Sequence, residues 1–145
     1  MAVSNIEKFD DITGKIFAEL YQSFPVPQTL ITEDFVGSVL RYDEKYGAEL
    51  PTDDAEFFFA TATWLMHAGY ITGTPRPPSY VTEAVLSAKG LEVLKAVPKS
   101  VTSKSSIGEQ LAASAKEGGK EATRGLVSEA FSIGVKILSP MIGLA

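Results

Sequence analysis

Few side chains in this sequence are equipped for covalent or proton chemistry. The 145-residue chain has one histidine, His67, and no cysteine, which excludes thiol catalysis, disulfides, Cys-zinc sites and His-pair metal sites. His67 closes a strongly apolar segment, where an imidazole near a helix C-terminus is favoured by the dipole without any catalytic role. Three acidic pairs, Asp10/Asp11, Glu33/Asp34 and Asp53/Asp54, have the composition for general acid–base or divalent-metal work. Two of them follow a threonine, in Thr32-Glu33-Asp34 and Thr52-Asp53-Asp54, and helix capping with dipole stabilisation accounts for those. No phosphate-binding glycine loop, Gly-x-Ser-x-Gly elbow or His-Glu-x-x-His motif occurs. The expectation is a protein that is not an enzyme and carries no cofactor or metal.

The residues that suggest binding are of other kinds. Phe57, Phe58 and Phe59 are consecutive, and on a helix they span about 200° of its circumference. One small core does not bury all three, so with Trp64 they point to a central helix or one that meets a partner. Arg76 lies among the prolines of Gly73-Thr74-Pro75-Arg76-Pro77-Pro78, as a wing-tip residue or a candidate nucleic-acid contact. Thirteen basic residues against eighteen acidic ones give a net charge of −5. The imbalance is local, because residues 1–60 hold twelve of the acids and four of the bases, while residues 98–145 hold six bases and four acids. A generally basic nucleic-acid coat is excluded.

The elements that position these residues follow from periodicity and punctuation. Ile6, Phe9, Thr13, Ile16, Leu20 and Phe24 predict a helix over 5–24, opened by a Ser4/Glu7 capping box and ended by Pro25. Gly14 inside it costs about 1 kcal/mol relative to alanine, so this helix needs tertiary packing. A short extended piece at 29–31 precedes a helix from Thr32 through Leu40, then a polar loop over 42–51. Thr52 opens a third helix running to Ala68, with Gly69 as its left-handed terminator. Strand-like segments at 70–72 and 79–86 flank a proline-rich loop at 73–78, predicting a hairpin, and a further helix runs from Ser87 to Pro98.

That order, helix, strand, helix, helix, strand, loop, strand, helix, resembles the winged-helix variant of the helix-turn-helix. Trp64-Leu65-Met66-His67-Ala68-Gly69-Tyr70-Ile71 and Val85-Leu86-Ser87-Ala88-Lys89-Gly90-Leu91-Glu92-Val93-Leu94 carry the resemblance, which covers about residues 5–97. It implies a mostly α, α+β domain with a small β-hairpin wing. It also implies a family often used for DNA binding, with the third helix in the major groove, and in other members for protein interaction and dimerisation. The third helix here has Asp53, Asp54 and Glu56 and no lysine or arginine, so the groups that neutralise phosphate and read bases are missing from it.

Beyond a linker at 98–106, Ser106 and Glu109 form another capping box. Leu111, Ala115, Gly118, Ala122, Leu126, Ala130, Ile133 and Ile137 recur at the α-helical repeat, with Phe131 and Leu138 beside them. They predict one long amphipathic helix over 107–138, stopped by Pro140, whose apolar face is too large to stay wet. Self-association or a protein partner covering that face is the leading expectation. Packing onto its own domain and lying on a membrane surface are the others. The function expected is a non-catalytic, cytoplasmic interaction or assembly module. The alternatives are a DNA-binding regulator dimerised by the tail and a membrane-surface-associated protein.

Overall fold

The computed structural model describes residues 3–98 and 105–143, with side chains through residue 137. The first helix, α1 (Asn5–Ser23), opens on the predicted capping box: the Glu7 amide donates to the Ser4 hydroxyl at 3.1 Å, and the Ser4 amide to the Glu7 carboxylate at 3.2 Å. Both contacts satisfy amides that a helix start leaves without partners. After β1 (Gln28–Ile31) comes α2 (Thr32–Val36), shorter than expected because Gly37 takes φ +82° and its amide turns back to the Glu33 carbonyl.

The polar loop expected at 42–51 is instead a hairpin. β2 (Leu40–Asp43) pairs antiparallel with β3 (Ala48–Pro51), Leu40 opposite Pro51 and Asp43 opposite Ala48. In its turn the Tyr46 amide donates to the Asp43 carboxylate at 3.1 Å. Next, α3 (Asp53–His67) starts at Thr52, whose hydroxyl accepts from the Ala55 amide, and ends before Gly69 at φ +87°. β4 (Ile71–Arg76) and β5 (Tyr80–Leu86) form the predicted hairpin, and β1 completes a sheet of order β1-β5-β4. β4 runs further than expected, through Pro75, because it is an edge strand, where a proline's missing amide breaks no ladder bond. Ser87 caps α4 (Ala88–Lys95) by accepting from the Gly90 amide at 3.0 Å.

The single long tail helix is not found. The tail is α5 (Ile107–Glu117) and α6 (Lys120–Gly143), and α6 continues past Pro140. One proline removes a single helix hydrogen bond and does not have to end a helix. The break lies at Gly118, at φ +71° in the left-handed region, with its amide donating to the Ser114 carbonyl. The Ser114 and Thr123 hydroxyls are 2.6 Å apart and lie 2.8 and 2.9 Å from the Gly119 carbonyl, locking the corner from inside. Of the expected linker, residues 99–104 lie outside the described residues.

The result is a mixed α+β fold with a small sheet and a long C-terminal helix. Its core gathers Ile16, Phe17 and Leu20 of α1, Phe58 and Leu65 of α3, Ile71, Leu94, Ile107 and Leu111, all fully buried. α1 packs along α5 and α6 and also meets α3, α4 and β5, while Trp64 and Tyr70 reach Phe131 of α6. Gly14 is one point of close approach, where a Cβ would overlap Thr123 Cγ2 of α6, as a Cβ at Gly134 of α6 would overlap the Tyr70 hydroxyl. The helix-weakening glycine inferred from sequence is thus one of the residues that let the tail dock, with Gly108 and Gly134 of the tail itself.

Candidate functional site

The tail positions expected to meet a partner divide into two groups. Leu111, Leu126 and Ala130 are buried in the core of their own chain, and Phe131, Ile133 and Ile137 pack half-buried against it. Ala115, Gly118 and Ala122 are exposed, and the side chain of Leu138 lies outside the described residues. The corner at Gly118 shifts the helical phase, so Ser114, Thr123 and Val127 take the inward places that a continuous helix assigns to Ala115 and Ala122. The apolar face is covered, as its size demands, and among the described residues the cover comes from α1 and α4, with Trp64 and Tyr70 against Phe131. Arg124, not singled out from sequence, fastens α6 to α1: its Nε and Nη2 meet the two Asp11 carboxylate oxygens at 2.8 and 2.9 Å, and its Nη1 meets Glu7 at 2.7 Å.

An apolar opening lies elsewhere, between the N-terminal half of α1 and the outer face of α3. Ile6, Phe9, Phe57, Ala60 and Trp64 line a groove of about 390 Å³ with almost no polar surface. Ile6 is 70% exposed and Trp64 50%, unusual for residues of this size in a helix pair that could close over them. The groove floor is built of packed rings. Phe9 meets Trp64 edge-on at 5.4 Å between ring centroids, and Phe131 of α6 lies behind both, 5.9 Å from Phe9 and 5.7 Å from Trp64. The Phe57–Phe59 run resolves as its angular spread predicts: Phe58 is in the core, Phe57 half-buried on the groove, and Phe59 half-buried beside Pro51, Pro77 and Pro78. The sequence placed Ile6 on the core stripe of α1, but at the first turn that stripe has run past the body it covers lower down.

Acidic residues gather near the N-termini of α1 and α3, and none of them lines the groove. Arg124 pairs with Glu7 and Asp11, and Asp11 and Asp54 line a separate opening with Lys8, Lys15 and Lys120. Lys8 pairs with Asp54 and lies 4.7 Å from the Phe57 ring centroid. Burial first, and then the Asp11 charge, push the Asp10 carboxyl above its ordinary value; Arg124 opposes this and Glu7 adds to it. Asp53 and Glu56 are exposed and make no ion pair among the described residues.

His67 is exposed at the end of α3 and Arg76 at the end of β4, and among the described residues no group of three or more acidic or imidazole side chains is placed to hold a metal ion. No described helix is long and apolar enough to cross a membrane. No family model, curated protein or solved structure matches this chain.

Proposed function

We propose that this chain is a non-catalytic protein-interaction module with a winged-helix-like body, and that it docks its partner in the α1–α3 groove. The observation carrying the reading is the half-exposed Trp64, seated on an apolar groove and packed against Phe9 and Phe131. Rigid, exposed aromatic anchors are the residues that dominate protein interfaces, because they bury large area with little loss of side-chain freedom. The winged-helix part is supported by the order α1, β1, α2, α3, β4, β5, α4, with β2 and β3 as an insertion before α3. DNA docking by α3 would set Asp53, Asp54 and Glu56 against phosphates, with Arg76 alone at the wing to compensate. The tail serves here as structural cover, and a cytoplasmic setting, compatible with a cysteine-free chain, belongs to the same proposal.

Trp64 is the only tryptophan, so its emission reports on the groove alone. A neutral amphipathic peptide of leucine and glutamine, about 14 residues or four helical turns, should shift that emission to the blue in a saturable titration. No shift at any peptide concentration, together with steeply salt-dependent binding to duplex DNA, would replace this reading with that of a DNA-binding regulator.

A further inference from the structure

Resting on the groove reading, we infer that the tail regulates the α1–α3 groove through one side chain: Phe131 of α6 positions Trp64, so that docking of α6 and filling of the groove stabilise one another. Phe131 is the only aromatic residue that follows Tyr80 in the sequence. Its ring lies 5.2 Å from Tyr70, 5.7 Å from Trp64, 5.9 Å from Phe9 and 6.2 Å from Phe17, between centroids. The rings it meets form two pairs. Phe9 with Trp64 belongs to the groove, and Phe17 with Tyr70, both buried, belongs to the core. Among the described residues neither groove ring meets a core ring directly, so Phe131 is what joins the pairs. Trp64 is half exposed, and the rings that fix its indole are Phe9 and this residue of the tail. α6 is itself held on both sides of Phe131. Two turns earlier Arg124 is tied to Asp11 and Glu7, and three residues later the Tyr70 hydroxyl fills the space that a Cβ at Gly134 would need. Without the Phe131 ring, the space behind Phe9 and Trp64 opens and the indole loses its fixed pose as an anchor. Coupling between two sites is reciprocal, so whatever orders Trp64 from the groove also tightens α6 from within.

The test uses the full chain and the leucine–glutamine peptide carrying a fluorescent label, whose anisotropy reads affinity independently of Trp64. Phe131→Leu removes the ring and keeps most of its volume. Val127→Ala loosens α6 where it is buried beside Gly14, away from the rings, and serves as the control. Phe131→Leu should weaken the peptide about tenfold, and in the free chain it should lower the anisotropy of Trp64 emission as the indole gains freedom. Val127→Ala, at a comparable loss of melting temperature, should change neither. In the parent chain the peptide should slow amide exchange around Phe131 more than it does in α5, although it touches neither. Unchanged affinity in Phe131→Leu, or an equal loss in both variants, overturns the inference and leaves the groove reading standing. Exchange slowed only in α1 and α3, or evenly over α5 and α6, does the same, and this measurement decides even where a variant fails to fold. A parent chain that binds no peptide overturns both.

Discussion

Asp10 sits one residue from Phe9 and between two other carboxylates, half-buried where α6 crosses α1. Its raised pKa means that the native state holds the charged form less comfortably than the unfolded chain does. The penalty is absent below the ordinary value of 3.8, where both states are protonated, and is fully present once the pH passes the raised folded value. Asp10→Asn should therefore raise the melting temperature at pH 7, by no more than about 4 °C, and leave it unchanged at pH 3. An equal effect at both pH values would mean that the substitution acts through packing rather than charge. At this scale the sequence was legible where a side chain caps its own helix, for Ser4 with Glu7, Thr52 with Ala55 and Ser106 with Glu109. Thr32, also read as a cap, is not one, because α2 starts one residue earlier than that reading, with Ile31 as N-cap, and the Thr32 hydroxyl is buried without a hydrogen-bond partner. The sequence was silent on Arg124, because its partners Asp11 and Glu7 lie more than a hundred residues away and nothing local marks a side chain that pairs across the fold.

Elements were legible where burial imposes a period and hidden where it does not. The β2–β3 hairpin is mostly exposed on both faces, so its residues show no alternation and pass for a polar loop. In β5 the alternation is present and then broken. Val81, Ala84 and Leu86 face the core, a spacing that skips one residue, because β5 carries a bulge. Thr72 pairs with Val85 but Thr74 with Thr82, and on the other side Gln28 pairs with Ala84 but Leu30 with Val81, so both neighbouring strands set one residue against two. The extra residue includes Glu83 at φ +54°, left-handed and exposed. A side chain in that conformation is strained, and glycine is not. Glu83→Gly should raise unfolding stability by roughly 0.5–1 kcal/mol in urea denaturation, net of glycine's greater unfolded-state entropy. A loss of stability would show that the Glu83 side chain contributes more than its backbone strain costs.

At the scale of the whole molecule, periodicity identified a tail face that must be covered, but periodicity does not say by what. The same leucines and alanines serve equally between subunits or against the chain's own body, and the choice turned on two glycines whose roles are long-range or conformational. Gly14 opens α1 to Thr123, and Gly118 turns the chain so that α6 can reach α1 and α4. These two arrangements predict opposite consequences for a chain ending at Ser105. If the tail joined subunits, removing it would lower the solution mass. As cover, its removal uncovers the sides of Ile16, Phe17, Leu20 and Leu94 that α5 and α6 now pack against, an apolar surface that a soluble monomer rarely exposes. Light scattering should therefore find the full chain at its single-chain mass of 15.5 kDa and the shortened chain at higher, concentration-dependent mass with increased binding of a hydrophobic dye. A full chain that scatters as an oligomer and falls to single chains when shortened would mean that α5 and α6 exchange between copies, and that the packing described within one chain forms between two.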